Sequence, residues 1–200
     1  MHARQQQHIR SVIQLAAEGL PPPAAGALHA PDRVIRDSWT RCVRDYRMDP
    51  ARMQEAVILP SQRVREPRER IDEFLRIARH GLEALYQQVA GMGYCVLLTD
   101  ARGVTVDFIG DLQLDTHLRR AGLYLGSDWS EHHAGTCGVG TAIVTGEALT
   151  VHQEDHFDAT HIPLTCTAAP VYDPLGRLNA ILDISALTSP QAKSSQHLAL

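Results

Sequence analysis

The chain has 200 residues, 44% of them apolar, and a net charge of −4, which suits one ordinary domain with appendages and supplies enough apolar surface for a buried core. No window approaches the ~18 uncharged apolar residues of a membrane span, and MHARQQQHIR at the start lacks the apolar stretch of a secretory signal; a soluble, cytoplasmic chain is expected. Residues 1–91 carry 14 basic and 11 acidic side chains and residues 92–200 carry 5 and 12, neither half basic enough for a duplex-binding surface, and the sole lysine, Lys193, lies in no GxxxxGK[ST] sequence, which excludes a P-loop ATPase.

Taken in chain order, residues 2–18 form a polar, glutamine-rich helix with Ile9, Val12, Ile13 and Ala16 at helical spacing, stopped by Gly19 and the PPPAAG linker. Residues 1–30 are therefore an N-terminal helix and Pro-rich linker. In the helical region 31–65, Asp32 can cap a helix that aligns Val34, Ile35, Trp39, Cys42 and Val43 in a stripe for burial. Residues 66–90 place Ile71, Phe74, Leu75, Ile77, Ala78, Leu82, Leu85 and Val89 along one face of a long entry helix ending at Gly91 and Gly93. That face can serve as a seam between two copies or can pack on its own sheet.

After Gly93 the period becomes that of strands. YCVLLTD, a turn at ARG, and VTVDFIGD read as a hairpin of central antiparallel strands. LDTHLRRAG is a short helix, EALTVHQ a further strand, and CTAAPVYD, DPLGR and LNAILDIS a last hairpin. A helix is expected from about Ser189; QHLAL ends without a stop signal, so residues 189–200 read as the start of a longer output helix. Cys42, Cys95, Cys137 and Cys166 show no CxxC or zinc-finger spacing, so they read as reduced, mostly buried thiols.

Between Trp129 and Asp183 the chain shows, in order, WSE, GTCGVGT, HF and CTAAPV, and upstream it carries SWTRCVRDYRMDP. These elements resemble the GAF domain of AcoR-like sigma-54-dependent transcriptional activators, with its patterns W-S-E, G-T-x-G-[IV]-G-T, H-F and C-x-A-A-P-[IV] and the preceding S-W-x-R-C region. The resemblance covers about residues 33–187. It implies an α/β fold in which a GAF-type antiparallel sheet, residues 66–188, is sandwiched by helices behind an N-terminal helical extension. It also implies a homodimer, and a longer protein with an AAA+ module engaging sigma-54 RNA polymerase and a DNA-binding module. Cys137 departs from the pattern, where asparagine is commonest; a cysteine there in contact with an effector would favour a less polar ligand than acetoin.

The glycines of GTCGVGT have the wrong spacing for a dinucleotide loop, and no ribose-binding acid follows a β-α-β unit. They read as a close approach of helix to sheet, with Thr136 and Thr141 satisfying backbone groups. Such sensor pockets are mostly apolar with a few placed polar groups. Cys95, Leu97, Ile109, Trp129, Cys137, Ile143, Phe157, Cys166 and Ala168 are therefore expected to enclose a small molecule, with His156, Thr136 and Glu131 offering polar contacts. The acidic half disfavours cyclic nucleotides.

Five histidines, His132, His133, His152, His156 and His161, fall near Asp155, Asp158, Cys137 and Cys166, so a metal has to be weighed. His152 and His156 are four apart, a ligand spacing on a helix, but the local pattern is strand then turn. No metal and no cofactor is the reading. A metal- or cysteine-based gas or redox sensor is the first alternative, and a GAF enzyme similar to methionine sulfoxide reductase, with Cys137 or Cys166 as nucleophile and His156 as base, is the second. The preferred reading is a sensor without catalytic residues that binds an effector of acetoin, diol, alcohol or ketone type and shifts the flanking helices.

Overall fold

The computed structural model describes residues 2–18, 33–53 and 56–188. The Pro-rich linker, the Asp32 cap and the helix expected from Ser189 fall outside the described residues. Two helices come first, α1 (His2–Glu18) and α2 (Arg33–Arg44). The α1 stripe is Val12 and Ala16 joined by His8, all buried, while Ile13 turns outward at 48% exposure. On α2 the buried positions are Ile35, Ser38, Trp39 and Cys42, with Val34 and Val43 half-buried against the same core.

Where the apolar period suggests one entry helix over 66–90, there are two, α3 (Ser61–Arg70) and α4 (Asp72–Val89), separated at Ile71 (φ −118°, ψ 22°). At the junction the last turn tightens, the Ile71 amide donating to the Arg68 carbonyl at 3.3 Å, and α4 restarts with the Leu75 amide on the Ile71 carbonyl at 2.8 Å. α4 is held by its apolar stripe, since Ile71, Leu75 and Leu82 are buried with Phe74, Ala78, Leu85, Tyr86 and Val89 packed around them. Ile77 stands outside that contact at 74% exposure.

Five strands follow: β1 (Tyr94–Asp100), β2 (Thr105–Ile109), β3 (Leu149–His152), β4 (Thr165–Tyr172) and β5 (Leu178–Ala186). They form one antiparallel sheet in the order β2-β1-β5-β4-β3. β1 is buried along its whole length, as a central strand covered on both faces must be. Alternation then divides the side chains: Tyr94, Val96 and Leu98 face α4, while Cys95 and Leu97 face the opposite layer.

That opposite layer contains α5 (Asp115–Arg120), α6 (Glu131–Ala134) and α7 (Gly138–Thr145), with α1 and α2 packed outside. The close approach expected of the glycine motif is present. A Cβ on Gly138 would stand 2.9 Å from the Cβ of Cys166 and 3.0 Å from Oδ1 of Asp183, and one on Gly140 would meet the backbone of Glu131 at 2.5 Å. Only glycine lets α7 sit this close to β4, β5 and the start of α6. Thr136 and Thr141 do something other than the expected backbone bonding, because their hydroxyls turn to α2 and to a buried carboxylate.

Candidate functional site

The carboxylate is Glu131, 3% exposed at the start of α6. Burying a charged carboxylate requires a cation and hydrogen bonds around it, and α2 supplies both. Arg41 donates from Nε to Oε2 and from Nη2 to Oε1, each at 2.9 Å, the bidentate geometry natural to a guanidinium. Ser38 donates to the same Oε1, Thr141 donates to it at 3.1 Å, and the hydroxyls of Ser38 and Thr136 lie 2.6 Å apart. The serine and arginine of SWTRC thus meet the glutamate of WSE and the threonines of GTCGVGT. Two motifs about 90 residues apart in the chain form one clamp.

The tryptophans continue the docking on either side. Trp39 donates from Nε1 to the carbonyl of Asp155 at 2.9 Å, and His8, edge-on to the Trp39 ring at 5.7 Å, has its Nε2 3.2 Å from the carbonyl of Phe157. Arg4 reaches the side chains of Glu154 and Gln153. The QEDHF corner, residues 153–157, is therefore held from outside by α1 and α2. Trp129, in the motif that carries Glu131, donates from Nε1 to the carbonyl of Gly122 at 3.1 Å.

Of the residues expected to line a pocket, Cys95, Leu97, Trp129, Cys137, Phe157, Cys166 and Ala168 do come together in one buried cluster, with Ile143 half-buried against it. Glu131 and Thr136 are in the clamp. Ile109 packs on the α4 side of the sheet, because Phe108 takes the other face and neighbouring strand residues alternate. Cys137 caps α7: its Sγ accepts from the amide of Gly140 at 3.3 Å, and its thiol donates to the carbonyl of Trp129 at 3.2 Å. An N-cap is where asparagine belongs, which accounts physically for the residue that the pattern usually carries there.

Open space lies beside this cluster. A half-open cleft of about 250 Å³ is lined by Ala56, Arg120, Ala121, Thr160, His161, Pro163, Leu164 and Leu187. His161 also borders a void of about 10 Å³, together with Trp129, Asp128, Asp158 and others, room for about one water. His161 is 6% exposed and its ring lies 5.3 Å from that of Trp129 and 6.1 Å from that of His156. Both histidines hold an unmatched nitrogen, Nδ1 of His161 and Nε2 of His156, two of the five buried side-chain atoms without a partner among the described residues. Buried polar atoms are normally bonded, so this pair is exceptional. Burial pushes the His156 imidazole down to about 3 and lowers that of His161, against the pull of Asp158; both rings are neutral near pH 7.

Residues 13–199 match the family described as MimR, N-terminal domain. The chain belongs to this family. It is similar over its full length, at 65% identity, to the "Acetoin catabolism regulatory protein" of Cupriavidus necator, of which it covers 30%. It is 30% identical over 82% of its length to the "Propane 2-monooxygenase operon transcriptional activator MimR" of Mycolicibacterium goodii, covering 27% of that protein, and 26% identical over 82% to the "Acetoin dehydrogenase operon transcriptional activator AcoR" of Bacillus subtilis, covering 26%. The chain thus spans less than a third of the length of these relatives. In shape it resembles the "Crystal Structure of the E.coli DhaR(N)-DhaL complex", with a TM-score of 0.75, 20% identity, and coverage of 84% of this chain and 56% of that one. The fold is of GAF type, and the chain is a GAF-type region of the AcoR-like regulators.

In this MimR N-terminal domain the histidine-rich segment disperses. His133 pairs with Asp128 at 2.8 Å, His132 stacks between His133 and Tyr46, and His152 contacts Thr165 at 2.8 Å, leaving only His156 and His161 together in the interior. Among the described residues no three His, Cys, Asp or Glu side chains converge in a way that could hold a metal ion. The four thiols are buried and free, and burial pushes each upward, Cys42 to about 12. A thiol so raised is a poor nucleophile, and His156, already bonded through Nδ1 to the carbonyl of Gln153 at 3.0 Å, is too weak a base to activate one. Among the described residues no helix is long and apolar enough to cross a membrane.

Several residues that shape the site escape a reading of the sequence. Ser38 and Arg41 stand in a recognised motif without an evident task until Glu131 is seen buried. His161 is one histidine among five, and Arg120, Leu164 and Leu187 come from three separate segments. Asp183 is the other omission. It lies 1% exposed at the centre of the sheet, opposite Leu97 and Ala168, with Oδ2 accepting from Ser185 at 2.5 Å and Oδ1 unmatched. Burial raises its carboxyl to about 7.

Proposed function

We propose that this chain is the effector-sensing region of a transcriptional activator, binding one small organic molecule of the acetoin, diol, alcohol or ketone type. The observation that carries the reading is the half-open cleft with largely apolar walls and one buried, neutral imidazole at its edge, the combination expected of a site for a small oxygen-bearing compound. The 65% identity across these 200 residues to a protein named for acetoin catabolism points to the same chemistry. Trp129, packed on His161 of the cleft wall, belongs to the buried cluster of Cys95, Leu97, Cys137, Phe157, Cys166 and Ala168 that backs the cleft. The chain is read as regulatory, without catalysis of its own, and as cytoplasmic. A homodimer, an AAA+ module, sigma-54 RNA polymerase and DNA are the partners the whole protein would need for output.

Effector binding alters output only if it favours one arrangement of the helices over another. The attachment of α1 and α2 to the QEDHF corner and to Glu131 places them where such a preference can act. The test is a thermal-shift and calorimetric screen of the 200-residue chain against C3 to C6 alcohols, diols, hydroxyketones and ketones. One class is expected to raise the melting temperature in proportion to the logarithm of its concentration. A stoichiometric metal in the purified protein, or no shift with any compound, would sink the proposal.

A further inference from the structure

The open space beside the buried cluster is charged against the trend of the chain around it. Residues 92–200 hold 12 acidic and 5 basic side chains, yet no acidic side chain lines the cleft of about 250 Å³ or the shallower groove of about 520 Å³ that shares Arg120, Ala121 and Leu187 with it. The ionisable residues in these walls are Arg120, His117 and His161. Asp158 belongs to the small void instead, where its Oδ1 accepts from the amide and the hydroxyl of Thr160, each at 2.8 Å. The two arginines that end α5 also differ. Arg119 is engaged by Asp115 and Tyr124, whereas Arg120 is exposed and has no hydrogen bond or ion pair among the described residues. A guanidinium is always charged and fits a carboxylate with two parallel bonds. His161, buried with Nδ1 unmatched, adds one ring N–H to the same wall.

We infer that the cleft also takes a short-chain carboxylate of the C3 to C5 kind, its carboxylate paired with Arg120 and its alkyl end on the apolar walls, to the exclusion of the neutral effector. This rests on the sensor reading above, because it assigns a second ligand class to the same cleft. The walls at Ala121, Pro163, Leu164 and Leu187 favour a carbon skeleton over a compact, fully hydrated anion such as inorganic phosphate. At about 250 Å³ the cleft falls below the ~300 to 1,000 Å³ of sites for drug-sized ligands, so it seats one short molecule at a time. A competing acid then raises the concentration of neutral effector needed for half-saturation.

Butanoate and butanamide share one skeleton and differ by one charge. Calorimetry of the unmodified chain is expected to show butanoate binding about fivefold or more tightly than butanamide, with a preference that shrinks as salt is added and no displacement by inorganic phosphate. On saturation with butanoate the methyl resonances of Leu164 and Leu187 should move. Arg120→Gln, at an exposed position, should lower butanoate to the affinity of butanamide; Arg102→Gln, which removes the same charge in the β1–β2 turn outside the cleft, should not. Equal affinity for the two compounds, a preference that survives Arg120→Gln, displacement by phosphate, or leucine methyl resonances unmoved at saturation overturns the carboxylate inference. The neutral compounds report separately. Butanoate should raise the apparent Kd of whichever compound the C3 to C6 screen identifies, and an unchanged Kd overturns the shared cleft. If that screen fails while butanoate binds, the acetoin-type reading falls alone; if the screen succeeds and butanoate does not bind, the carboxylate inference falls alone.

Discussion

The Glu131 clamp and the His156–His161 pair flank the same tryptophan and are buried to similar depth, yet one is complete and the other is not. Oε1 and Oε2 of Glu131 accept from Arg41, Ser38 and Thr141, whereas each histidine keeps a nitrogen with no partner. A polar group closed off by its own chain belongs to the fold, because its removal leaves the partners stranded. A polar group without a partner strands nothing when it is replaced, so its loss costs the fold little. The two regions should therefore answer to substitution in opposite ways.

The largest effect is expected at the clamp. Glu131→Ala strands the half-buried Arg41 guanidinium and the hydroxyls of Ser38 and Thr141, and breaking one side of a buried ion pair costs about 3 kcal/mol. Denaturant unfolding should show that loss, and hydrogen exchange should show α2 losing protection before the sheet does. Unchanged protection in α2 would mean that packing of Ile35, Trp39 and Cys42 alone seats the helix.

A second test uses pH, because Asp183 and His156 have opposite linkage. Burial raises the Asp183 carboxyl from 3.8 to about 7; the native chain keeps a proton that the unfolded chain releases, so this contribution is complete below pH 3.8 and lost as pH climbs to 7. Burial lowers His156 from 6.5 to about 3; the unfolded chain gains a proton that the native chain refuses, so stability falls as pH drops from 6.5 toward 3. Between these limits the slopes oppose each other. Asp183→Asn removes one of them, and its stability relative to the parent should rise by on the order of 4 kcal/mol between pH 4 and pH 8. Parallel stability curves for the two chains would show that Asp183 is ionised in the native state.

The contrast also shows what a linear reading can reach. The five strands, α2 and α4 are legible because apolar periodicity is a local property: β1 reads as a continuous apolar run, and the α4 stripe follows helical spacing. The break at Ile71 hides within that stripe because Ile71 is itself apolar and fits both the longer helix and the interruption. At the site, Cys95, Leu97, Cys137, Phe157, Cys166 and Ala168 are readable as interior residues from composition alone. That Glu131 faces Arg41, or that His156 and His161 are the two of the five clustered histidines left inside, depends on tertiary contacts with no local mark, and Phe108 and Ile109 are both apolar, so alternation alone does not say which of them faces α4.

His161→Phe sharpens the comparison from the other side. It exchanges a buried imidazole with an unmet nitrogen for an apolar ring of similar size, so stability should stay level or rise by about 1 kcal/mol, the reverse of Glu131→Ala. A loss of several kcal/mol on unfolding would mean that His161 has a structural partner and that the contrast between the two regions does not hold.

An effect of similarly small size is expected between the two regions, at Cys137, the residue that departs from the family pattern. Its sulfur accepts from Gly140 and its thiol donates to Trp129, so it belongs with the completed clamp as the cap of α7. Cys137→Ala should cost about 1 kcal/mol for the lost cap, and Cys137→Asn, restoring the usual capping residue, should keep or exceed the parent stability if the site admits the larger side chain. Neither change should alter the ratio of affinities for acetoin and 2-butanone, since the thiol is turned to the α7 amides and the Trp129 carbonyl and away from the His161 cleft. An affinity ratio that tracked residue 137 would move Cys137 from the scaffold to the ligand wall.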